Sequence, residues 1–161
     1  MRTQKTVDGV KTNYYYDSNK NLIALVKGND TLLFYYDSDG SATSFSYNGT
    51  MYFYVKNLQG DVIRIIDLAG TEVASYVYDA WGNIKDTKGE PTIREINPIR
   101  YRGYVYDTET SLYYLQSRYY DPFTGRFLNA DIYCDTNTGT SLSANMFAYC
   151  ENNPVNYLDP N

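Results

Sequence analysis

Along most of the first eighty residues, hydrophobic and polar positions alternate with the two-residue period of strands half buried in a sheet. Tyr14 and Tyr16 fall on one face, and Leu32, Phe34 and Tyr36 share a face with Leu33 and Tyr35 opposite. Met51, Phe53 and Val55 alternate against Tyr52 and Tyr54, then Val62, Arg64 and Ile66 against Ile63 and Ile65. Between these runs stand Ser38-Asp39-Gly40, Tyr47-Asn48-Gly49, Leu58-Gln59-Gly60-Asp61, Ala69-Gly70 and Trp81-Gly82-Asn83. In such turns Asp or Asn bonds its own backbone and glycine accepts a positive φ. The pattern predicts a strand, a tight turn and a returning strand, over and over.

A Tyr-Asp mark punctuates the units. Asp17 in Tyr14-Tyr15-Tyr16-Asp17, Asp37 in Phe34-Tyr35-Tyr36-Asp37, Asn57 after Tyr54-Val55-Lys56, and Asp79 in Tyr76-Val77-Tyr78-Asp79 are separated by 20, 20 and 22 positions. Three of the four have glycine three residues later (Gly40, Gly60, Gly82), and the first has Lys20 there. A regular period of this length signals a repeat architecture, in which each unit buries its apolar face only against its neighbours. Tyrosine serves either face of such a sheet, because the ring covers apolar area while the hydroxyl finds a polar partner. The expected fold class is mainly all-β: serial antiparallel hairpins forming a curved or spiral sheet.

From residue 84 to 98 the alternation dissolves into Lys85, Asp86, Lys88, Gly89, Glu90, Pro91 and Pro98, which reads as a solvated connector or long loop. The chain changes character beyond it. One short helix is expected over 141–149, where Leu142, Asn145, Met146 and Tyr149 share a face and Ser141 or Ser143 supplies the cap. The organisation expected is therefore hairpins with a connector over 1–98 and a distinct region over 99–161.

Composition narrows the chemistry. Among 161 residues there are 20 tyrosines and no histidine, which removes Ser-His-Asp and Cys-His nucleophilic mechanisms and every His-containing metal site. The net charge is −5 with Lys and Arg scattered, so the electrostatic drive toward nucleic acid or anionic membranes is missing. No apolar run is long enough for a transmembrane helix, and the first dozen residues are polar, so neither a membrane span nor a signal peptide is read in this segment. Cys134 and Cys150 are too few for a zinc or iron-sulfur cage. They read as buried small hydrophobes or as one disulfide, with a redox role weakest for want of a histidine to activate the thiol. No cofactor is expected.

The second region carries motifs in a fixed order: Tyr101-Arg102-Gly103-Tyr104, Leu112-Tyr113-Tyr114-Leu115, Arg118-Tyr119-Tyr120-Asp121-Pro122, Gly125-Arg126-Phe127-Leu128, Ala130-Asp131, Asn152-Asn153-Pro154-Val155-Asn156 and Asp159-Pro160. This region resembles the RHS-repeat-associated core, and the preceding hairpins resemble the YD repeats that lead into it. The resemblance implies a β-sheet spiral wound into a hollow shell around a polypeptide, usually a toxin encoded after the core, in a secreted or cell-surface protein. Its implied partners are that downstream cargo and the preceding YD repeats. It also implies an intramolecular aspartyl protease that severs the cargo once, in cis, at a bond beyond this chain, and turns over no other substrate.

Matched motif by motif, the implied catalytic residues are Asp131, Asp159 and Arg118. The chemistry requires two carboxylates close enough to share a proton, one acting as base on water and the other donating to the amide, with an arginine to hold charge. Ile132 follows Asp131 where the family usually has proline. Read without the family, Asp131 and Asp159 are turn formers and Arg118 a stacking arginine; Asp107 and Asp121 read as turn aspartates in either case. Two alternatives stay open: a structural or cell-surface β-scaffold without catalysis, and choline-type cell-wall binding repeats, for which Trp81 is the only tryptophan. Exposed strand edges also allow self-association.

Overall fold

A computed structural model describes residues 1–129 and 147–157. The alternating runs, with an added strand at each edge, form one antiparallel meander of nine strands, each bonded to the next in chain order: β1 (Gln4–Val7), β2 (Val10–Tyr16), β3 (Leu22–Lys27), β4 (Asp30–Tyr36), β5 (Ala42–Tyr47), β6 (Thr50–Lys56), β7 (Val62–Ile66), β8 (Glu72–Tyr78) and β9 (Ile84–Gly89). Four shorter strands form a second meander: β10 (Val105–Asp107), β11 (Leu112–Leu115), β12 (Arg118–Asp121) and β13 (Arg126–Phe127). The fold is mainly β, built of serial hairpins.

The two ends of the long meander are made differently. At one end lie two-residue connections such as Asp8-Gly9 and Asn48-Gly49, where φ is positive at both central positions (+48° and +79°, +48° and +88°), as a tight hairpin turn requires. At the other end lie the turns opened by Asp17, Asp37, Asn57 and Asp79. In each, the side-chain Oδ1 accepts from the backbone N–H two and four residues on, at 2.8–3.0 Å. The turn thus satisfies its own backbone, and the strand before it shifts register one residue ahead of the mark. Asp67 makes the same turn at the opposite end of the sheet, between β7 and β8. Ile66 rather than tyrosine precedes it, so it falls outside the Tyr-Asp pattern.

Tyrosine before the mark has a definite task. The hydroxyls of Tyr16, Tyr36 and Tyr78 donate to the carbonyl oxygens of Arg2, Leu22 and Val62 at 3.0, 2.8 and 2.9 Å, joining each hairpin to the one before. Lys56 stands at the corresponding place in the third unit and donates to Ser41 Oγ instead. Inward-facing side chains of the long meander, among them Leu25, Leu32, Phe34, Phe45 and Ile65, form one core with Ile93 and Ile99. Fully burying a side chain such as Leu32 or Phe45 stabilises the fold by about 2 kcal/mol.

The stretch 84–98 is not a loop. It supplies the edge strand β9 and a helix, α1 (Pro91–Ile96), which packs Ile93 into the core. Lys85, Asp86 and Lys88 look loop-like only because an edge strand shows them to solvent. Gly89, at φ +95°, lets the chain pass so close over Val73 that a Cβ there would lie 2.2 Å from the Val73 oxygen, and Pro91 at the first turn suits a helix start. Strand β1 lies in the polar opening segment, where the alternation predicts no strand. The helix expected over 141–149 falls mostly outside the described residues. Its last three positions are not helical, because Ala148 bridges to Arg126 and the Phe147 oxygen accepts from the Phe127 N–H at 3.0 Å.

Candidate functional site

The second meander is seated on the last Tyr-Asp turn of the first. Three consecutive carbonyl oxygens of that turn, those of Ala80, Trp81 and Gly82, accept from the phenols of Tyr101, Tyr120 and Tyr113 at 2.8, 2.7 and 2.8 Å. Asn83 adds its Nδ2, which donates to the Pro122 oxygen at 2.8 Å. Close fit reinforces these bonds. A Cβ on Gly82 would lie 2.6 Å from the Tyr101 ring, and one on Gly125 would lie 2.8 Å from the Trp81 ring. Burial, the largest influence on each, raises the phenol pKa of Tyr101, Tyr113 and Tyr120, so all three remain neutral donors.

Around this joint the rings of Tyr101, Tyr113, Tyr120, Phe127 and Tyr149 build a second core with Leu115 and Cys150. Tyr120 and Tyr149 lie 4.1 Å apart between centroids, and Phe127 meets Tyr149 edge-on at 5.7 Å. Cys150 is buried there, in the environment of a small hydrophobe. Cys134 lies outside the described residues.

The opposite end of the long meander meets the second one too. Arg2 reaches both carboxylate oxygens of Asp107, at 2.5 and 3.0 Å, with its guanidinium between the rings of Tyr14 and Tyr114. Lys5 joins Asp107 and Glu109 at 3.1 and 2.7 Å. Asp107 is therefore more than a turn aspartate: although its backbone oxygen accepts from Thr110 and Ser111, its buried carboxylate ties strand β10 to the chain's beginning. Since β1 and the turn after β8 both touch the second meander, the nine-stranded sheet must curve around between them.

Of the three residues matched to a protease, Arg118 is described and the two aspartates are not. Arg118 is buried on β12, opposite Leu115, with its guanidinium carbon 3.7 Å from the centroid of Phe127. The chain leaving β13 runs back alongside it: the Leu128 N–H donates to the Tyr119 oxygen at 2.8 Å, and Asn129 Oδ1 accepts from the Tyr119 N–H at 3.2 Å. Asp131 follows two residues later and lies outside the described residues, as does Asp159. The segment approaching Asp159 is anchored by Arg102 and Gln59. Arg102 donates to the Pro154 oxygen, and Gln59 Nε2 donates to the Val155 oxygen at 3.1 Å. Arg102 is itself set by the third repeat, through its N–H to Asp61 Oδ1 at 2.9 Å, while Asn57 holds the other Asp61 oxygen at 2.6 Å. Sequence reasoning missed Arg102, whose signal was its place in Tyr101-Arg102-Gly103-Tyr104. It adopts φ +54°, rare for a side chain of its size.

Among the described residues no group of three or more His, Cys, Asp or Glu side chains could hold a metal ion, and no helix is long and apolar enough to cross a membrane.

The chain matches the Teneurin YD-shell family over residues 2–155. It is 44% identical over 162 residues to the tRNA3(Ser)-specific nuclease WapA of Bacillus spizizenii and to the tRNA nuclease WapA of Bacillus subtilis, an overlap covering 99% of this chain and 7% of each relative. Double-stranded DNA deaminase toxin A of Burkholderia cenocepacia is 36% identical over 98 residues, which is 60% of this chain and 6% of that protein. Among solved structures, TcdB2-TccC3 superposes with a TM-score of 0.70 at 22% identity, covering 98% of this chain and 8% of its own. The Tc holotoxin pore of Photorhabdus luminescens gives 0.62 at 21% identity, over 97% of this chain and 9% of its own. These structural likenesses show the fold, and the chain spans less than a tenth of the length of each of these proteins.

Proposed function

Because the chain belongs to the Teneurin YD-shell family, we propose that it is the closing end of a secreted or cell-surface toxin shell, which holds a C-terminal cargo polypeptide and releases it by a single cut in cis. The observation that best supports the closing role is the seating of three phenols on the consecutive carbonyls of turn 79–83. That joint holds a hairpin array, 1–98, to a core region, 99–161, while the outer edge of β1 is the place for preceding YD repeats to continue the sheet. The cargo would be a toxin, in keeping with the tRNA nuclease and the deaminase toxin to which the chain is similar.

In the proposed cut, Asp131 and Asp159 share one proton. The ionised carboxylate takes a proton from water as its oxygen attacks the scissile carbonyl carbon; the protonated one donates to the departing amide nitrogen as the C–N bond breaks. Arg118 supplies positive charge that stabilises the ionised member or the developing oxyanion. Its support is local: Arg118 is buried on the strand along which the chain runs toward Asp131, and Arg102 and Gln59 pin the segment that leads to Asp159.

The experiment is to express the chain extended through its natural downstream sequence and follow its mass over time. Wild type should split into shell and cargo, while Asp131→Asn, Asp159→Asn and Arg118→Ala stay whole. Wild type persisting intact would remove the protease and leave a non-catalytic scaffold. The choline-type reading draws no support from the site, since the sole tryptophan, Trp81, lies with its ring against Gly125 and the buried joint.

A further inference from the structure

Two clefts of similar size open at opposite ends of the curved sheet, and their charges differ. The one beside the two-residue turns, about 430 Å³, is lined by Lys5 and Lys27 but also by Asp30, Glu95, Asp107 and Glu109. Its cations are already paired: Lys5 with Asp107 and Glu109, and Lys27 with Glu109. The cleft at the Tyr-Asp turns, about 410 Å³, is lined by Lys20, Lys56 and Arg102 and by the rings of Tyr16, Tyr36 and Tyr114, with no carboxylate among its described lining residues. Both volumes fall in the range of ligand pockets, roughly 300–1,000 Å³. Arg102 is paired with Asp61 at 3.9 Å, but among the described residues no carboxylate makes an ion pair with Lys20 or Lys56. In a chain with 19 acidic and 14 basic residues, two such lysines in one cleft run against the overall balance.

Lys56 is the centre of this arrangement. It replaces the tyrosine that elsewhere joins one hairpin to the next, so a charge stands where the neighbouring units place a phenol. Its ammonium donates to the neutral Ser41 hydroxyl, and among the described residues no carboxylate makes an ion pair with it. Burial pulls its pKa below the ordinary lysine value, only partly countered by the charge of Asp37. The hydroxyls of Tyr16 and Tyr36 are committed to carbonyls, leaving their rings as walls. Arg102, its side chain buried against Asp61, lines the cleft and is bonded to the Pro154 oxygen, and Gln59 holds Val155 alongside, so polypeptide continuing from this segment starts next to the cleft.

We propose that the cleft at the Tyr-Asp turns binds an acidic stretch of the cargo polypeptide, with Lys56 and Lys20 supplying the counter-charge. The occupant rests on the shell reading above; the binding itself does not depend on the cut. Acidic residues gain ion pairs in a partly desolvated site that lacks them, and the tyrosine rings cover the peptide backbone.

The test uses a short fluorescein-labelled peptide of Asp, Glu and Gly and its Asn, Gln and Gly isostere, titrated against the intact chain by fluorescence anisotropy. At low ionic strength the acidic peptide should bind about tenfold tighter than the isostere, and added salt should shrink the difference. The Lys20→Glu, Lys56→Glu double variant should abolish the preference. Lys88→Glu, which makes the same kind of charge change on the exposed edge strand, should leave it in place. If the double variant melts below the assay temperature, Lys56→Gln carries the test and should weaken acidic-peptide binding about threefold. Equal binding of both peptides, or equal loss in Lys88→Glu, would overturn the proposal. An extended chain that fails to cut while the acidic peptide still binds would count against the protease alone; cutting without peptide preference would count against the cleft alone.

Discussion

The phenol of Tyr120 donates a 2.7 Å hydrogen bond to the carbonyl oxygen of Trp81, 39 residues earlier in the chain. A side chain of the second meander is thereby bonded to main chain of the first, and Tyr101 and Tyr113 repeat the contact on either side. Hydrogen bonds of this kind resist sequence change on the acceptor side, because every residue presents a carbonyl.

Replacing each donor by phenylalanine keeps the ring and removes only the hydroxyl. Tyr101→Phe, Tyr113→Phe and Tyr120→Phe should each cost about 1–2 kcal/mol, since a carbonyl is left without its partner. Urea unfolding measures the loss. If all three variants unfold with the wild-type midpoint, the phenol bonds do not hold the two meanders together.

The turn marks separate charge from geometry. Asn57 already does the work of an aspartate, so Asp37→Asn should be nearly neutral, whereas Asp37→Ala strips two backbone N–H groups of their acceptor and should cost about 1–2 kcal/mol. Thermal melts of the pair decide it. An alanine variant as stable as the asparagine one would show that the side-chain bonds contribute nothing.

Acid should loosen the joint. At Asp79 burial, the largest single influence, pushes the carboxyl pKa up, but hydrogen bonds from Lys85, Asn83 and Trp81 together hold it below its ordinary 3.8. A folded pKa beneath the unfolded one means that the ionised group stabilises fully above the unfolded value, and that this contribution is lost as pH falls through the folded value. Glu109 behaves alike, held down by Lys5 against the upward push of burial. Urea midpoints measured from about pH 6 down to about pH 2 should fall below about pH 4, more gently in Asp79→Asn. Identical acid limbs in wild type and variant would contradict the assignment.

Two glycines with nearly the same backbone test the fit of the joint. Gly49 and Gly82 have φ of +88° and +87°, but a Cβ meets nothing within 4 Å at Gly49 and the Tyr101 ring at Gly82. Gly49→Ala should therefore cost only the left-handed conformation, about 1–2 kcal/mol, and Gly82→Ala a further ~1–3 kcal/mol for overpacking. Denaturant titration of both variants checks the difference, and equal losses would mean that the ring yields freely.

The hairpins were legible because their causes are local. Alternation marks the buried face in β2 and β4 but not in β7, where the register shift that leaves Ile63 as an extra residue puts Val62 and Ile65, rather than Val62 and Arg64, in the core. An Asp or Asn followed by glycine three residues on builds a turn from its own atoms. What escaped was non-local or lay on an edge. Strand β1 carries Gln4, Lys5 and Thr6, polar residues that nothing in the sequence distinguishes from a solvated tail, and its place is secured by Arg2 reaching Asp107 across 105 residues. The stretch 84–98 read as a loop because its charges face solvent, while the decisive contact, Gly89 over Val73, is one of backbone on backbone. An excess of tyrosine was plain, yet its acceptors are carbonyls, which leave no trace in composition. Of the proposed catalytic set, Arg118 could be placed on its strand; Asp131 and Asp159 lie outside the described residues.

A turn that supplies its own acceptors has an evolutionary corollary. Its two tip positions hold Ser18-Asn19, Ser38-Asp39, Leu58-Gln59 and Ala80-Trp81 in successive units, side chains with little in common, while the opening Asp or Asn governs the geometry each time. Whole hairpins can accordingly be gained or lost upstream without redrawing the terminal seat, which grips oxygen atoms common to all of them. Lengthening the array then becomes a matter of duplication rather than redesign.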